Sequence, residues 1–242
     1  MNAASQLINS FLNLIYPLHC ASCGKSLKVA DQTGACEICI ARIKPNPRPY
    51  CRRCGRPMPE AGVSCPECLE MRPYFSSACS ACLYEDPLKE LIHKFKYNNR
   101  RSLANIFSRI MADFICDNPE IIDGVDTITF VPLSKKRSLE RTFNQSELLA
   151  SAIGKAFEIP VKGCLRKKLP TKNQNELSRQ DRLVNVKEAF SLKNGMDETV
   201  RDADVLLIDD VMTTGATLND SSRALIQAGA RRVRCLTLAR GN

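Results

Sequence analysis

From Asp86 onward the apolar positions alternate between two spacings, and each spacing predicts one kind of element. Leu88, Leu91, Ile92 and Phe95 recur at three and four residues, which is one face of a helix. Asp86 and Pro87 stand where an N-cap and a first helical residue belong. The same spacing predicts helices over about 102–116, over Asn144 to Phe157 and over Thr217 to Ala228. Between them, short apolar runs predict strands at Thr127 to Val131, Ala203 to Ile208 and Val233 to Ala239. Val205 to Ile208 is continuous and rich in branched side chains, as in a parallel strand buried on both faces. Strands alternating with helices predict an α/β fold, a parallel sheet with helices on both faces. Earlier in the chain, Leu7, Phe11, Leu14 and Ile15 predict a short amphipathic helix that Pro17 ends. Its polar face has no Lys or Arg, which favours packing on the protein over lying on a membrane.

The strand at 205–208 runs into the most informative stretch, V-L-L-I-D-D-V-M-T-T-G-A-T, residues 205–217. Thr213, Thr214, Gly215, Ala216 and Thr217 place backbone N–H groups and hydroxyls at a helix N-terminus. Such a terminus favours an anion, because its N–H groups lack partners and the helix dipole is positive there. Gly215 lets the backbone approach a phosphate without a Cβ in the way. Asp209 and Asp210 follow the strand at its C-terminal end, where open α/β sheets bind ligands. Ionised carboxylates only accept hydrogen bonds, so they suit adjacent hydroxyls, such as those of a ribose, or a divalent cation. A phosphate, a diol and a metal within one loop describe a sugar phosphate. The alternative is an ordinary strand–turn–helix with solvated acids.

Residues 205–217 resemble the signature of type I phosphoribosyltransferases, which bind phosphoribosyl pyrophosphate (PRPP). The resemblance implies that Asp209 and Asp210 hold the ribose 2′- and 3′-hydroxyls. It also implies that Thr213 to Thr217 cradle the 5′-phosphate, with Mg²⁺ accompanying PRPP.

The 13 cysteines change the picture of the N-terminal part. Cys20/Cys23, Cys36/Cys39, Cys51/Cys54 and Cys65/Cys68 form C-x-x-C pairs with the knuckle spacing of Cys₄ zinc ribbons. Glycines at 24, 34, 55 and 62 fit the turns that knuckles need. Successive pairing is the simplest: Cys20, Cys23, Cys36 and Cys39 on one structural zinc, Cys51, Cys54, Cys65 and Cys68 on a second. Interleaved ligation is the other arrangement that spacing allows. A disulfide framework is the rival reading, but residues 1–18 have no basic residue and no small-residue cleavage site. The expectation is a reducing, cytoplasmic compartment. His19 abuts Cys20 and is read as a bystander. Cys79 and Cys82 lie in a strand-like run of small residues, where positions three apart face opposite sides, so they are read as packing groups.

Two loops flank the 205–217 stretch. Pro132 to Gln145 follows a strand and carries Lys135, Arg137 and Arg141. A solvated basic loop is the plain alternative, and the position at the ligand edge favours pyrophosphate contact through charge-assisted bonds. Arg166 to Phe190 is long and polar, with Arg179 and Arg182. Long loops in compact domains are functional or disordered. Phosphoribosyltransferases carry a flexible catalytic loop in this position, and the resemblance assigns Arg179 and Arg182 to catalysis.

L-I-H-K-F-K-Y, R-T-F-N-Q-S-E-L-L-A and L-S-R-Q-D-R-L-V-N-V-K-E-A-F extend the likeness over nearly the whole chain. A type I phosphoribosyltransferase-like domain at 79–242, behind a helix and double zinc ribbon at 1–78, resembles the ComF family of competence proteins. Thr142 departs from relatives, where glycine is common before F-N-Q. The resemblance implies a role in natural transformation, handling incoming single-stranded DNA in the cytoplasm alongside DNA-uptake or recombination proteins. An active phosphoribosyltransferase, joining a base to ribose 5-phosphate, is the alternative. Charge agrees with a polyanionic partner. Eight thiolates bring eight negative charges and two zinc ions four positive ones, so the +9 of the chain falls to +5. Lys94, Lys96, Arg100, Arg101, Lys167, Lys168, Arg231 and Arg232 are the candidate phosphate contacts, with Tyr97 as a stacking aromatic. No apolar run approaches the ~20 residues of a membrane span.

Overall fold

A computed structural model describes residues 18–27, 34–60, 64–134, 140–168 and 189–241. The expected N-terminal helix, Gly62, Lys135, Arg137, Arg179 and Arg182 lie outside the described residues.

A four-stranded parallel sheet in the order β1-β6-β5-β2 carries the fold. Its strands are β1 (Ser77–Leu83), β2 (Thr127–Phe130), β5 (Asp204–Met212) and β6 (Arg232–Arg240). A smaller antiparallel pair, β3 (Leu165–Lys167) and β4 (Phe190–Leu192), stands beside it. Val205, Leu206, Leu207 and Ile208 are all buried, because both faces of the central strand are covered. Leu206 and Ile208 join Leu236 and Leu238 under three helices, α3 (Leu88–Tyr97), α4 (Leu103–Cys116) and α5 (Gln145–Ala156). Val205 and Leu207 face the other way with Val233 and Cys235, towards α7 (Ala216–Gln227). The short helices α1 (Glu37–Ala41), α2 (Pro66–Met71) and α6 (Asp197–Val200) complete the described elements of regular helix.

Three expectations need correction. The loop expected over Arg166 to Phe190 begins and ends in strand, since Arg166 and Lys167 belong to β3 and Phe190 to β4. Helix α3 starts at Leu88, with Pro87 at its N-cap position and no side-chain cap, so Asp86 does not cap it. Strand β5 does not stop at Ile208. It continues to Met212 because β6 is still there to pair with it, Asp209 opposite Thr237 and Val211 opposite Ala239. On its other edge β2 ends at Phe130, opposite Ile208, and the last bond is Val131 N–H to Ile208 C=O at 3.1 Å. The acidic pair therefore lies within the ladder on one side and beside an opening on the other.

The Cys-rich segments pack directly on β1. Its free edge is covered by the stretch between the two ribbons: Asn46 N–H donates to Ala81 C=O at 3.0 Å and Leu83 N–H to Lys44 C=O at 3.0 Å. Gly55, at φ +68°, lies so close to β1 that a Cβ there would meet the Ala78 carbonyl oxygen at 2.9 Å. Among the described residues no helix is long and apolar enough to cross a membrane.

Candidate active site and metal centres

Where β2 and β5 part, a cleft of about 280 Å³ opens. Asp209 and Asp210 form its floor, Thr213 and Thr217 one wall, and Pro132 to Ser134 another. Ser146 and Lys96 complete the surroundings of the acids. The Asn144 side chain accepts from Ser146 N–H at 3.1 Å, capping α5, and its amide donates to Val131 C=O at 3.1 Å. That pair of bonds fixes the first turn of α5 at the end of β2, and Ser146 Oγ donates to Asp209 Oδ1 at 2.7 Å. Lys96 Nζ meets Asp210 Oδ1 at 2.8 Å. Burial, and after it the Asp210 carboxylate, push the Asp209 carboxyl up to about 7; Ser146 and Lys96 act in the opposite direction.

Beyond the acids the chain turns into α7. Gly215 is the N-cap residue at φ +78°, and a Cβ there would meet Met212 Cε at 2.7 Å. Glycine is needed on both counts. Thr213, Thr214, Ala216 and Thr217 are exposed around it. Thr213 and Thr217 bring their hydroxyls to the cleft at the start of α7, where Ala216 N–H donates to Thr214 Oγ1 at 3.4 Å, and a helix start of this kind suits a phosphate.

The structure treats the basic residues less simply than their sequence positions suggest. Arg141 lines the cleft, yet it is 8% exposed and both of its terminal guanidinium nitrogens are engaged, while the buried Nε has no hydrogen-bond partner among the described residues. It donates to Gln145 Oε1 and to the Tyr97 hydroxyl, each at 3.1 Å, and lies 4.9 Å from the Tyr97 ring centre. Tyr97 therefore has one face taken by Arg141, with His93 4.8 Å away as well. Lys96 turns to Asp210 rather than outward. Arg231 and Arg232 converge on the buried Asp204, Arg231 Nε at 2.8 Å. Burial opposes ionisation of Asp204, but the bonds from Arg232 and Arg231 outweigh it and hold the carboxyl below its usual range. Lys96, Ser146 and Gln145 lie in stretches already quoted from the sequence, but nothing there assigns them to the surroundings of the acids. Lys96 had a signal: Leu88, Ile92 and Lys96 are four apart, so they share one stripe of α3, and the first two are buried.

Two groups of four cysteines come together, each with all sulfur atoms within 4.8 Å of one another: Cys20, Cys23, Cys36 and Cys39, then Cys51, Cys54, Cys65 and Cys68. Pairs are successive, not interleaved. The Sγ atoms of Cys23 and Cys36 are 3.7 Å apart, as are those of Cys54 and Cys65. A tetrahedral zinc with Zn–S of about 2.3 Å demands sulfurs roughly 3.8 Å apart, so the spacing fits. The chemistry fits too. Cys36 N–H donates to Cys20 Sγ at 3.3 Å, and Cys65 N–H to Cys51 Sγ at 3.2 Å. Burial opposes ionisation of Cys20, but the N–H groups of Cys23, Cys36 and Ser22 bring its thiol down to about 6. In the same cluster burial and the neighbouring thiols push Cys39 up to about 12. Four crowded sulfurs cannot all ionise unless a cation sits among them, and zinc supplies that charge. His19 turns its ring to Gly24 C=O, 3.1 Å away, outside the cluster. Cys82 is buried in β1 and Cys79 half-buried.

Known proteins carry the same two parts. The double zinc ribbon domain family matches residues 11–83 and the phosphoribosyl transferase domain family matches residues 144–242. Competence protein F of Haemophilus influenzae is 31% identical over 228 residues, 93% of this chain and 98% of the relative. Competence protein ComFC of Bacillus subtilis is 30% identical over 213 residues, 85% of this chain and 83% of the relative. DNA utilization protein YhgH of Escherichia coli K12 is 29% identical over 210 residues, 86% and 90% of the two chains. With both of its parts matched and this likeness running almost end to end, the chain belongs to the ComF family of competence proteins.

Proposed function

We propose that the cleft binds PRPP or a related ribose phosphate, in a competence protein that handles incoming single-stranded DNA. The observation behind the first part is the placement of Asp209, Asp210, Thr213 and Thr217 on one cleft of about 280 Å³. Vicinal hydroxyls donate to carboxylates, and a 5′-phosphate accepts from the N–H groups and hydroxyls at the start of α7. Asp209 and Asp210 are oxygen donors of the kind Mg²⁺ takes. Asp210 already holds Lys96, so magnesium is assigned to the pyrophosphate, where it would offset leaving-group charge. Lys135 and Arg137 are proposed for the pyrophosphate, and Arg179 and Arg182 for the reacting ribose. The DNA role is supported by the excess of positive charge, +9 from the side chains and +5 once two zinc-bound Cys₄ clusters are counted, and by the competence and DNA utilization names of the relatives.

Calorimetric titration of the zinc-loaded chain with PRPP, with and without magnesium, tests the ligand. Wild-type protein binds, and Asp209→Ala with Asp210→Ala loses at least about tenfold in affinity while keeping its circular dichroism. Unchanged affinity in that variant overturns the reading. Pyrophosphate release on adding nucleobases would assign a transferase; its absence, with binding intact, a ligand-responsive site.

A further inference from the structure

Resting on the ribose phosphate reading, we infer that Lys96 is a built-in counter-ion of the acidic pair, so that the ribose end of the cleft works without a divalent cation. Two adjacent carboxylates in a cleft need positive charge close by, because burying an uncompensated carboxylate is costly. Here the chain supplies it. Lys96 Nζ lies 2.8 Å from Asp210 Oδ1, and the two side chains are only 18% and 11% exposed. The contact is built into the helix. Leu88 and Ile92, fully buried on the same stripe, hold α3 against the sheet and aim the next position of the stripe at the end of β5.

Asp209 is served differently, by the Ser146 hydroxyl at 2.7 Å. Its carboxyl, pushed up to about 7 by burial and then by Asp210, does not demand a second full positive charge. One ammonium therefore balances the pair. A divalent cation on Asp210 would meet that ammonium at close range, and like charges in a sheltered site repel strongly. The ligand class that follows has a vicinal diol and a 5′-phosphate but no pyrophosphate: ribose 5-phosphate and nucleoside monophosphates. These bind without magnesium. PRPP gains from magnesium through its pyrophosphate alone.

The test is titration of the full zinc-loaded chain with ribose 5-phosphate and with PRPP. The buffer is freed of magnesium without a strong chelator, so the ribbons keep their zinc. Wild-type affinity for ribose 5-phosphate should be unchanged by a millimolar excess of magnesium. Lys96→Met should lose about tenfold without magnesium, equivalent to about 1.4 kcal/mol, and regain it when magnesium takes the vacated place. Lys96→Arg, which keeps the charge, should stay magnesium-independent and guards against reading a folding defect as a binding effect. A wild-type protein that needs magnesium for ribose 5-phosphate, or a Lys96→Met variant that binds it normally without the metal, overturns the inference while PRPP binding keeps the cleft assignment. Failure of both sugar phosphates to bind wild-type protein under any condition overturns both.

Discussion

The Arg240 guanidinium, at the end of the last strand, donates through Nη1 to the backbone carbonyl of Cys54 at 2.6 Å. Arg240 is 3% exposed, and Cys54 belongs to the second cysteine cluster. A buried charge in the sheet thus depends on a carbonyl that the metal cluster holds still. Metal analysis should give two zinc ions per chain, and Cys51→Ser should retain one. Leaving a buried charged donor without its acceptor costs about 1–3 kcal/mol, so that variant should melt at a lower temperature as a whole, sheet included. A sheet melting at the wild-type temperature above an unfolded ribbon would show that the two are not coupled.

Gly215→Ala tests the phosphate loop. The left-handed backbone at φ +78° is strained for any residue with a Cβ, and the new methyl must also displace Met212 Cε. A stability loss of about 1–3 kcal/mol in urea unfolding is expected, with weaker binding of PRPP. Met212 is itself buried, so Met212→Ala alone costs about 2–5 kcal/mol. Measured in that background, Gly215→Ala should cost less than in the wild type but not nothing, because the methyl clash is relieved and the backbone strain is not. A cost of zero there would show that the loop does not need glycine's freedom.

Ligand affinity should depend on pH through Asp209. Its carboxyl lies near 7 in the free protein, well above its ordinary value. A diol needs the ionised form as acceptor, so affinity for PRPP should rise with pH up to about 7 and level off above it, by no more than about tenfold per unit. Stability runs the other way. The folded state keeps a proton that the unfolded chain has released, so this group's contribution to stability falls as pH rises from about 4 to about 7. The phosphates titrate near pH 6 as well. Asp209→Asn separates the two sources: it should flatten the protein's part of the profile and leave the ligand's. A profile the same in both proteins would exclude Asp209.

Regular elements were readable wherever apolar spacing was strong. The stripe Leu88, Leu91, Ile92 and Phe95 is buried as its period implies, and Val205 to Ile208 is covered on both faces. The four C-x-x-C pairs announced their clusters because a ligand pair on a knuckle must be local in sequence. What could not be read was set by distant partners. β5 runs on to Met212 only because β6 extends beside it, and nothing in residues 209–212 themselves says so. Charge was the least readable property. A lysine or arginine reveals its sign but not its partner, and Lys96, Arg231 and Arg232 find theirs at Asp210 and Asp204. Arg141 likewise reads as a loop cation, and its burial against Tyr97 depends on α3 and α5 meeting.

Those partners sharpen the expectation for nucleic acid. Binding of single-stranded DNA should be salt-sensitive and weakly sequence-selective, each phosphate contact adding about −0.7 to the log–log salt slope. Arg101 is exposed in the turn before α4, its guanidinium 5.9 Å from the Phe143 ring centre, and Arg100 stands next to it. Arg100→Gln with Arg101→Gln should flatten the slope, without a matching loss of stability. Arg231→Gln and Arg232→Gln should behave in the opposite way. They remove two of the three guanidinium groups beside the buried Asp204, leaving Arg234 at 3.6 Å, so unfolding free energy should fall by about 1–3 kcal/mol while the slope stays nearly constant. Tyr97 offers a base at most one face, since Arg141 covers the other, so Tyr97→Ala should loosen Arg141 as well as DNA. Fluorescence anisotropy with an unstructured oligonucleotide across a salt series, beside denaturant melts of each variant, measures both quantities. Binding that ignores salt, or is absent at low ionic strength, would remove DNA from the account and leave the sugar phosphate as the ligand to pursue.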